Sequence, residues 1–93
     1  MEEKKIESKL VKAVKRSCGM CLKFVSPSFA GVPDRIVLMP GGRMAFVETK
    51  TTGKEMRPLQ RKRKWQLEKL GFKVYCLDNE EKIEEIINEI RAL

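Results

Sequence analysis

Residues 43–50 read RMAFVETK: an apolar strand interior, Ala45-Phe46-Val47, runs directly into Glu48 and Lys50. Upstream, Asp34 heads the run DRIVLM, and Pro40-Gly41-Gly42 separates the two runs like a hairpin turn. With a three-residue loop over 40–42, Met39 faces Arg43, Ile36 faces Phe46 and Asp34 faces Glu48. Strand alternation then puts Asp34, Ile36, Phe46, Glu48 and Lys50 on one face. The two carboxylates become cross-strand neighbours with β-carbons about 5 Å apart. A two-residue Gly-Gly loop would instead set Asp34 opposite Thr49. Like charges directly opposite in a sheet destabilise it, and a bound cation removes that penalty. Hard oxygen ligands suit Mg²⁺, with Mn²⁺ as a substitute. Such an ion polarises a phosphoryl oxygen and lowers the pKa of a bound water. Lys50 can orient that water or stabilise developing negative charge. This is a constellation for phosphodiester hydrolysis.

The tripeptide Glu-x-Lys alone carries little information, because it recurs at Glu2/Lys4, Glu3/Lys5, Glu7/Lys9 and Glu80/Lys82. Those copies lie in charged helical stretches where solvation explains them. Only Glu48/Lys50 follows an apolar strand and has Pro33-Asp34 across a hairpin.

The elements that must position these residues follow from periodicity. Ile6, Leu10, Ala13 and Val14 keep a helical period, which predicts an amphipathic helix over 2–18 ending before Gly19. MCLKFV, 20–25, reads as a strand, SPSFAGVP as a loop, and the two hairpin runs as strands. Pro58 suits the first turn of a helix that runs to about Leu70 and stops at Gly71. FKVYCL, 72–77, alternates as a strand. Asp78 with Glu81 resembles a capping box ahead of a last helix whose stripe is Ile83, Ile86, Ile87 and Ile90. The order α-β-β-β-α-β-α gives an α/β class, a central mixed sheet flanked by helices.

Ninety-three residues bound the chain to one domain spanning 1–93. Lysine and arginine number 20 against 13 acidic residues, net +7, a field that favours polyanions, nucleic acid before anionic membrane. No apolar run approaches the roughly 20 residues of a membrane span. Three cysteines cannot all pair within the chain, which fits a reducing cytoplasm. Cys18-x-x-Cys21, with a distant Cys76 and no histidine, is a poor set for zinc, and the missing histidine excludes Ser-His and Cys-His triads.

On a helical wheel for 58–70, Leu59, Gln66, Leu67 and Leu70 cluster on one side, with Gln60 at the border. Arg57, Arg61 and Lys64 lie roughly opposite, placed for phosphate contacts that position DNA without reading its sequence. Trp65 falls outside the apolar cluster. A dimer contact, DNA stacking and a second layer of core are its three readings.

Gly31-Val32-Pro33-Asp34, then Phe46-Val47-Glu48-Thr49-Lys50, then Pro58-Leu59-Gln60 resemble the PD-(D/E)XK nuclease superfamily, and within it the virus-type replication-repair nuclease (VRR-NUC) family. The resemblance covers nearly the whole chain. It implies a restriction-endonuclease-like core and a metal held by Asp34, Glu48 and the backbone carbonyl of Thr49. Lys50 matches the catalytic lysine and Gln60 a glutamine of the active site. A glutamate of the first helix usually joins them, and Glu7 fits that position best, with Glu3 second. Small stand-alone members are similar to one another in forming homodimers that cut branched DNA, including four-way (Holliday) junctions. The expectation is therefore a Mg²⁺-dependent endodeoxyribonuclease acting in the cytoplasm, or virus-encoded and acting in the host's. A nuclease of flaps or plain duplex and a non-catalytic DNA-binding module are the alternatives.

Overall fold

The computed structural model describes residues 2–93. Its elements are α1 (Glu3–Arg16), β1 (Met20–Lys23), β2 (Arg35–Met39), β3 (Arg43–Thr49), α2 (Pro58–Lys69), β4 (Val74–Leu77), a 3-10 turn (Glu80–Lys82) and α3 (Ile83–Arg91). The four strands form one sheet in the order β1-β2-β3-β4. β1, β2 and β3 are antiparallel neighbours, while β4 lies parallel to β3. A parallel neighbour needs a crossover connection, and α2 provides it.

One face of the sheet carries the core. Ile6, Leu10, Ala13 and Val14 of α1 and the four isoleucines of α3 pack on Val37, Met39, Ala45, Val47 and Leu77. Alternation sends the even-numbered residues of β1, β2 and β3 to the other face, where Phe46 meets Phe24 and Phe72 with ring centroids 5.6 and 5.8 Å apart. This second face is only partly covered: Met20 and Leu22 on edge strand β1 are 58% and 41% exposed. The apolar cluster expected on α2 does not form core. That helix has no buried residue, and Leu59 and Leu70 stay exposed.

The hairpin takes the three-residue loop, with Met39 opposite Arg43 and Ile36 opposite Phe46. The Gly-Gly alternative is thereby ruled out. Gly41 and Gly42 both sit at positive φ, 86° and 74°, which glycine adopts without steric cost. Gly19 serves differently. The left-handed residue after α1 is Cys18, at φ 65°. A Cβ on Gly19 would lie 2.5 Å from the Leu38 carbonyl oxygen and 2.7 Å from Met39 Sδ, so glycine is needed there for the close approach of α1's exit to β2. The cap near the last helix also differs from the sequence expectation. Asn79 Oδ1, not Asp78, accepts from the Glu81 N–H, and Asp78 pairs with Lys82 at 2.9 Å.

Candidate active site

Asp34, Glu48, Thr49, Lys50 and Gln60 meet where β2 begins and β3 ends. Backbone pairing between those strands stops at Arg35 opposite Val47. One step further, Asp34 replaces ladder hydrogen bonds with its side chain. Its Oδ1 accepts from the Thr49 backbone N–H at 3.0 Å and its Oδ2 from the Thr49 hydroxyl at 2.5 Å. The main chain of Asp34 is fixed as well, because its carbonyl accepts from Phe24 N–H at 2.8 Å. The carboxylate is therefore held from both sides before any ligand arrives. Thr49 is 1% exposed, and its hydroxyl is a site feature that sequence reasoning missed. Its signal was present, since alternation turns Thr49 toward the core face, where an unpaired hydroxyl is costly.

Glu48 and Lys50 are charged yet buried, at 5% and 8% exposure. Lys50 Nζ lies 3.5 Å from Glu48 Oε2. The Lys50 backbone N–H donates to the Leu77 carbonyl at 2.8 Å, which ties the end of β3 to β4. Gln60 completes the arrangement from α2. Its Nε2 donates to Glu48 Oε2 at 2.9 Å, and its Oε1 accepts from the Arg57 N–H at 2.8 Å. A side chain that would ordinarily cap only its own helix thus also docks the start of α2 on the carboxylate. Pro58 makes this start local and rigid, because its fixed φ suits the first helical position.

The electrostatics of Glu48 are unbalanced. Burial, with the nearby Asp34 charge adding to it and Lys50 opposing it, pushes the Glu48 carboxyl up to about 7. Its Oε1 is buried and is the one such side-chain polar atom without a hydrogen-bond partner among the described residues. An ionised carboxylate with a dry, unpartnered oxygen is costly. A cation beside it would satisfy that oxygen. Asp34 and Glu48 are hard oxygen donors of the kind Mg²⁺ and Mn²⁺ take, with waters filling the remaining positions. These residues fit a divalent ion.

Glu7 stands apart from this pair. Arg35 Nε donates to Glu7 Oε2 at 2.7 Å, both side chains being 16% exposed, and Arg35 Nη1 reaches the Cys21 carbonyl at 3.4 Å. Arg35 follows Asp34 and points to the α1 side of β2, so it brings Glu7 toward the site without releasing it. Glu3 is exposed in the first turn of α1. Among the described residues no three acidic or cysteine side chains converge into a ready-made metal cluster. Cys18 is exposed at the end of α1, while burial pushes the Cys21 thiol up to about 11.

Beside the site, a cleft of about 440 Å³ is lined by Lys54, Arg61, Lys64 and Lys82, with Met56, Cys76 and the two acids Glu55 and Asp78, a net positive lining. Cys76 is the register partner of Glu48 across β3 and β4, so the cleft opens next to the reactive strand end. Arg61 is oriented by a 2.7 Å bond to the Met56 carbonyl and Lys64 pairs with Glu68 at 3.0 Å. Arg57 is exposed at the start of α2.

The chain is 41% identical over 81 residues to p44 of Acyrthosiphon pisum secondary endosymbiont phage 1, a protein named, provisionally, as a nuclease; the match spans 87% of each chain. A solved VRR-NUC domain superposes with a TM-score of 0.86 over 92% of this chain and 94% of its own, at 22% identity. The chain belongs to the same family as that phage protein, and its fold is that of a VRR-NUC domain. No family model matches it. Its mixed four-stranded sheet and flanking helices are the VRR-NUC fold, in the element order expected from sequence. Glu48 and Lys50 are the buried charges of this chain among the described residues, with half-buried Asp34 and Gln60 beside them. No helix among the described residues is long and apolar enough to cross a membrane.

Proposed function

We propose that this protein is a divalent-metal-dependent endodeoxyribonuclease. The observation that carries the reading is Glu48: a buried carboxylate with one oxygen unpartnered, set between the carboxylate of Asp34 and the ammonium of Lys50. Asp34 and Glu48 hold the ion, Mg²⁺ in the first instance and Mn²⁺ as its substitute. The Thr49 carbonyl and Glu7, which Arg35 holds at 2.7 Å, would be the further ligands. When bound, the ion supplies Lewis-acid polarisation of a phosphoryl oxygen and a more acidic water. The chain's own residues do the rest. Thr49 keeps Asp34 in one orientation, so that little ordering is needed on binding. Lys50, buried and short of full neutralisation at 3.5 Å from Glu48, directs its positive charge at the attacking water or the developing phosphorane charge. Gln60, with one amide end on Glu48, orients water or substrate beside it.

The net charge of +7 and the cationic cleft along Arg61 and Lys64, with Arg57 at the helix start, support DNA as the partner. Branched DNA, four-way junctions included, is the proposed substrate, and a two-fold homodimer the vehicle for symmetric nicking. The uncovered half of the second sheet face, with Met20 and Leu22 exposed, supports self-association. A phage relative and three free cysteines support action in the cytoplasm of a host cell.

The test is cleavage of labelled four-way junction, flap and linear duplex, with and without Mg²⁺, alongside Lys50→Ala. Metal-dependent cutting of the junction alone, abolished in the variant, establishes mechanism and substrate. Equal cutting of all three retains the mechanism and discards junction selectivity. Tight binding without cutting in either metal refutes the enzyme reading.

A further inference from the structure

The two flanks of α2 differ in chemistry. One borders the cationic cleft beside the site. The other borders an apolar groove of about 420 Å³ between α2 and the loop 26–32, in which Phe24, Phe29, Val32, Trp65, Leu67 and Leu70 take part. Phe29, Trp65 and Leu70 are 46%, 59% and 73% exposed, an unusual amount of open apolar surface for so small a protein. The charged side chains lining this groove are Arg63 and Lys69, both cations. The Arg63 guanidinium carbon lies 3.6 Å from the Phe29 ring centroid, and Lys69 Nζ 4.6 Å from that of Trp65. Arg63 also donates to the Ala30 carbonyl at 2.8 Å and to Gln66 Oε1 at 3.0 Å. Neither cation pairs with a carboxylate among the described residues.

We propose that this groove binds an unpaired nucleobase of the DNA strand, stacked on its aromatic side chains, with Arg63 and Lys69 facing the adjoining phosphates. Aromatic rings interleaved with cations are the means by which proteins hold unstacked bases without reading their sequence. Charge complementarity favours this occupant over a second copy of the chain. A two-fold contact through the groove would bring Arg63 and Lys69 of one copy toward those of the other, in a protein already at +7.

The groove is also built from the two segments that carry the site. Gln60 and Arg63 lie one turn apart on α2, and the loop 26–32 leads directly into Pro33 and Asp34. The loop is seated closely on the helix. A Cβ on Gly31, at φ 89°, would lie 2.6 Å from Leu59 Cγ and 3.3 Å from Arg63 Cγ. A base in the groove therefore bears on the walls that position Asp34 and Gln60, and Arg63 at its edge lies one helical turn from Gln60, which holds Glu48. This inference rests on the nuclease reading and narrows its substrate to DNA with unstacked bases beside the cut.

Trp65 is the one tryptophan of the chain, so its emission reports the groove directly. The whole protein, kept in EDTA so that nothing is cut, is titrated with an eight-nucleotide oligothymidylate and with an abasic strand of equal length and charge. The expected result is quenching of Trp65 by the thymidylate at least twofold deeper than by the abasic strand. Phe29→Ala should weaken thymidylate binding about tenfold while leaving abasic binding unchanged. Equal quenching by the two strands, or none, overturns the proposal. A Trp65 signal that changes on diluting the protein without DNA also overturns it, by showing that a second copy fills the groove. Because no catalysis is involved, these failures are separate from failure of the nuclease reading, which metal-dependent cleavage decides.

Discussion

Replacing Glu48 by glutamine should stabilise the metal-free protein above neutral pH. The residue is 5% exposed, its Oε1 has no partner, and its carboxyl is pushed up to about 7 from 4.5 by burial, with the Asp34 charge adding to the effect. Between those two values the folded state holds a proton on Glu48 that the unfolded state has released. Stability must then fall as pH rises through that window. Below 4.5 both states are protonated and Glu48 contributes no pH dependence; above 7 the whole penalty is present. The separation of the two pKa values corresponds to about 3 kcal/mol. For a chain of this length that is a shift in midpoint temperature on the order of 10–20 °C.

Glutamine mimics the protonated carboxyl, accepts from the Gln60 amide as before and removes the titration. The assay is thermal or urea denaturation of wild type and Glu48→Gln in EDTA across pH 4–9. The two proteins should be similar near pH 4 and diverge upward, the variant ahead by most of that amount at pH 8. Adding Mg²⁺ at pH 8 should raise the wild type and leave the variant nearly unmoved, since ligation stabilises only the state that binds. Parallel pH profiles for the two proteins would refute the argument, because they would mean that Glu48 ionises in the fold without penalty.

Thr49→Val keeps the buried shape but removes the 2.5 Å hydroxyl contact to Asp34; a loss of about 1–2 kcal/mol in denaturation and weaker Mn²⁺ binding by titration calorimetry are expected. Lys50→Ala should lower cleavage by about 10²–10³-fold, while DNA affinity in EDTA, measured by anisotropy, changes little. Arg61→Ala with Lys64→Ala should reduce the slope of log affinity against log salt by about 2; an unchanged slope would remove the cleft from the DNA path. Gly19→Ala forces a Cβ to within 2.5 Å of the Leu38 carbonyl oxygen, so its midpoint temperature should drop sharply, unlike that of Gly42→Ala, where nothing lies within 4 Å and only the positive φ resists.

What could be read in the sequence depended on how local its physical cause was. The helices of the core face were legible because each writes its burial as a 3.6-residue stripe: Ile6, Leu10 and Val14 in one, Ile83, Ile86, Ile87 and Ile90 in the other. Glu48 and Lys50 were legible as an anomaly, two charges directly after the apolar run Ala45-Phe46-Val47, which is 0–8% exposed. The hairpin fixed Asp34 to within one residue of its partner, but not the contact itself. Strand pairing stops one position short of Glu48, and the Asp34 side chain turns to Thr49, a choice between neighbouring donors that a two-residue period does not resolve. On α2 the wheel groups the apolar residues without saying whether they are covered: the helix is anchored by polar contacts, Gln60 to Glu48 and Arg63 to the Ala30 carbonyl, and none of its residues is buried. The Glu7–Arg35 pair was not legible at all, since it depends on how α1 lies across β2. That pair contrasts with Glu48: Arg35 meets Glu7 at 2.7 Å, whereas burial and the Asp34 charge push the Glu48 carboxyl up to about 7 against the opposing Lys50.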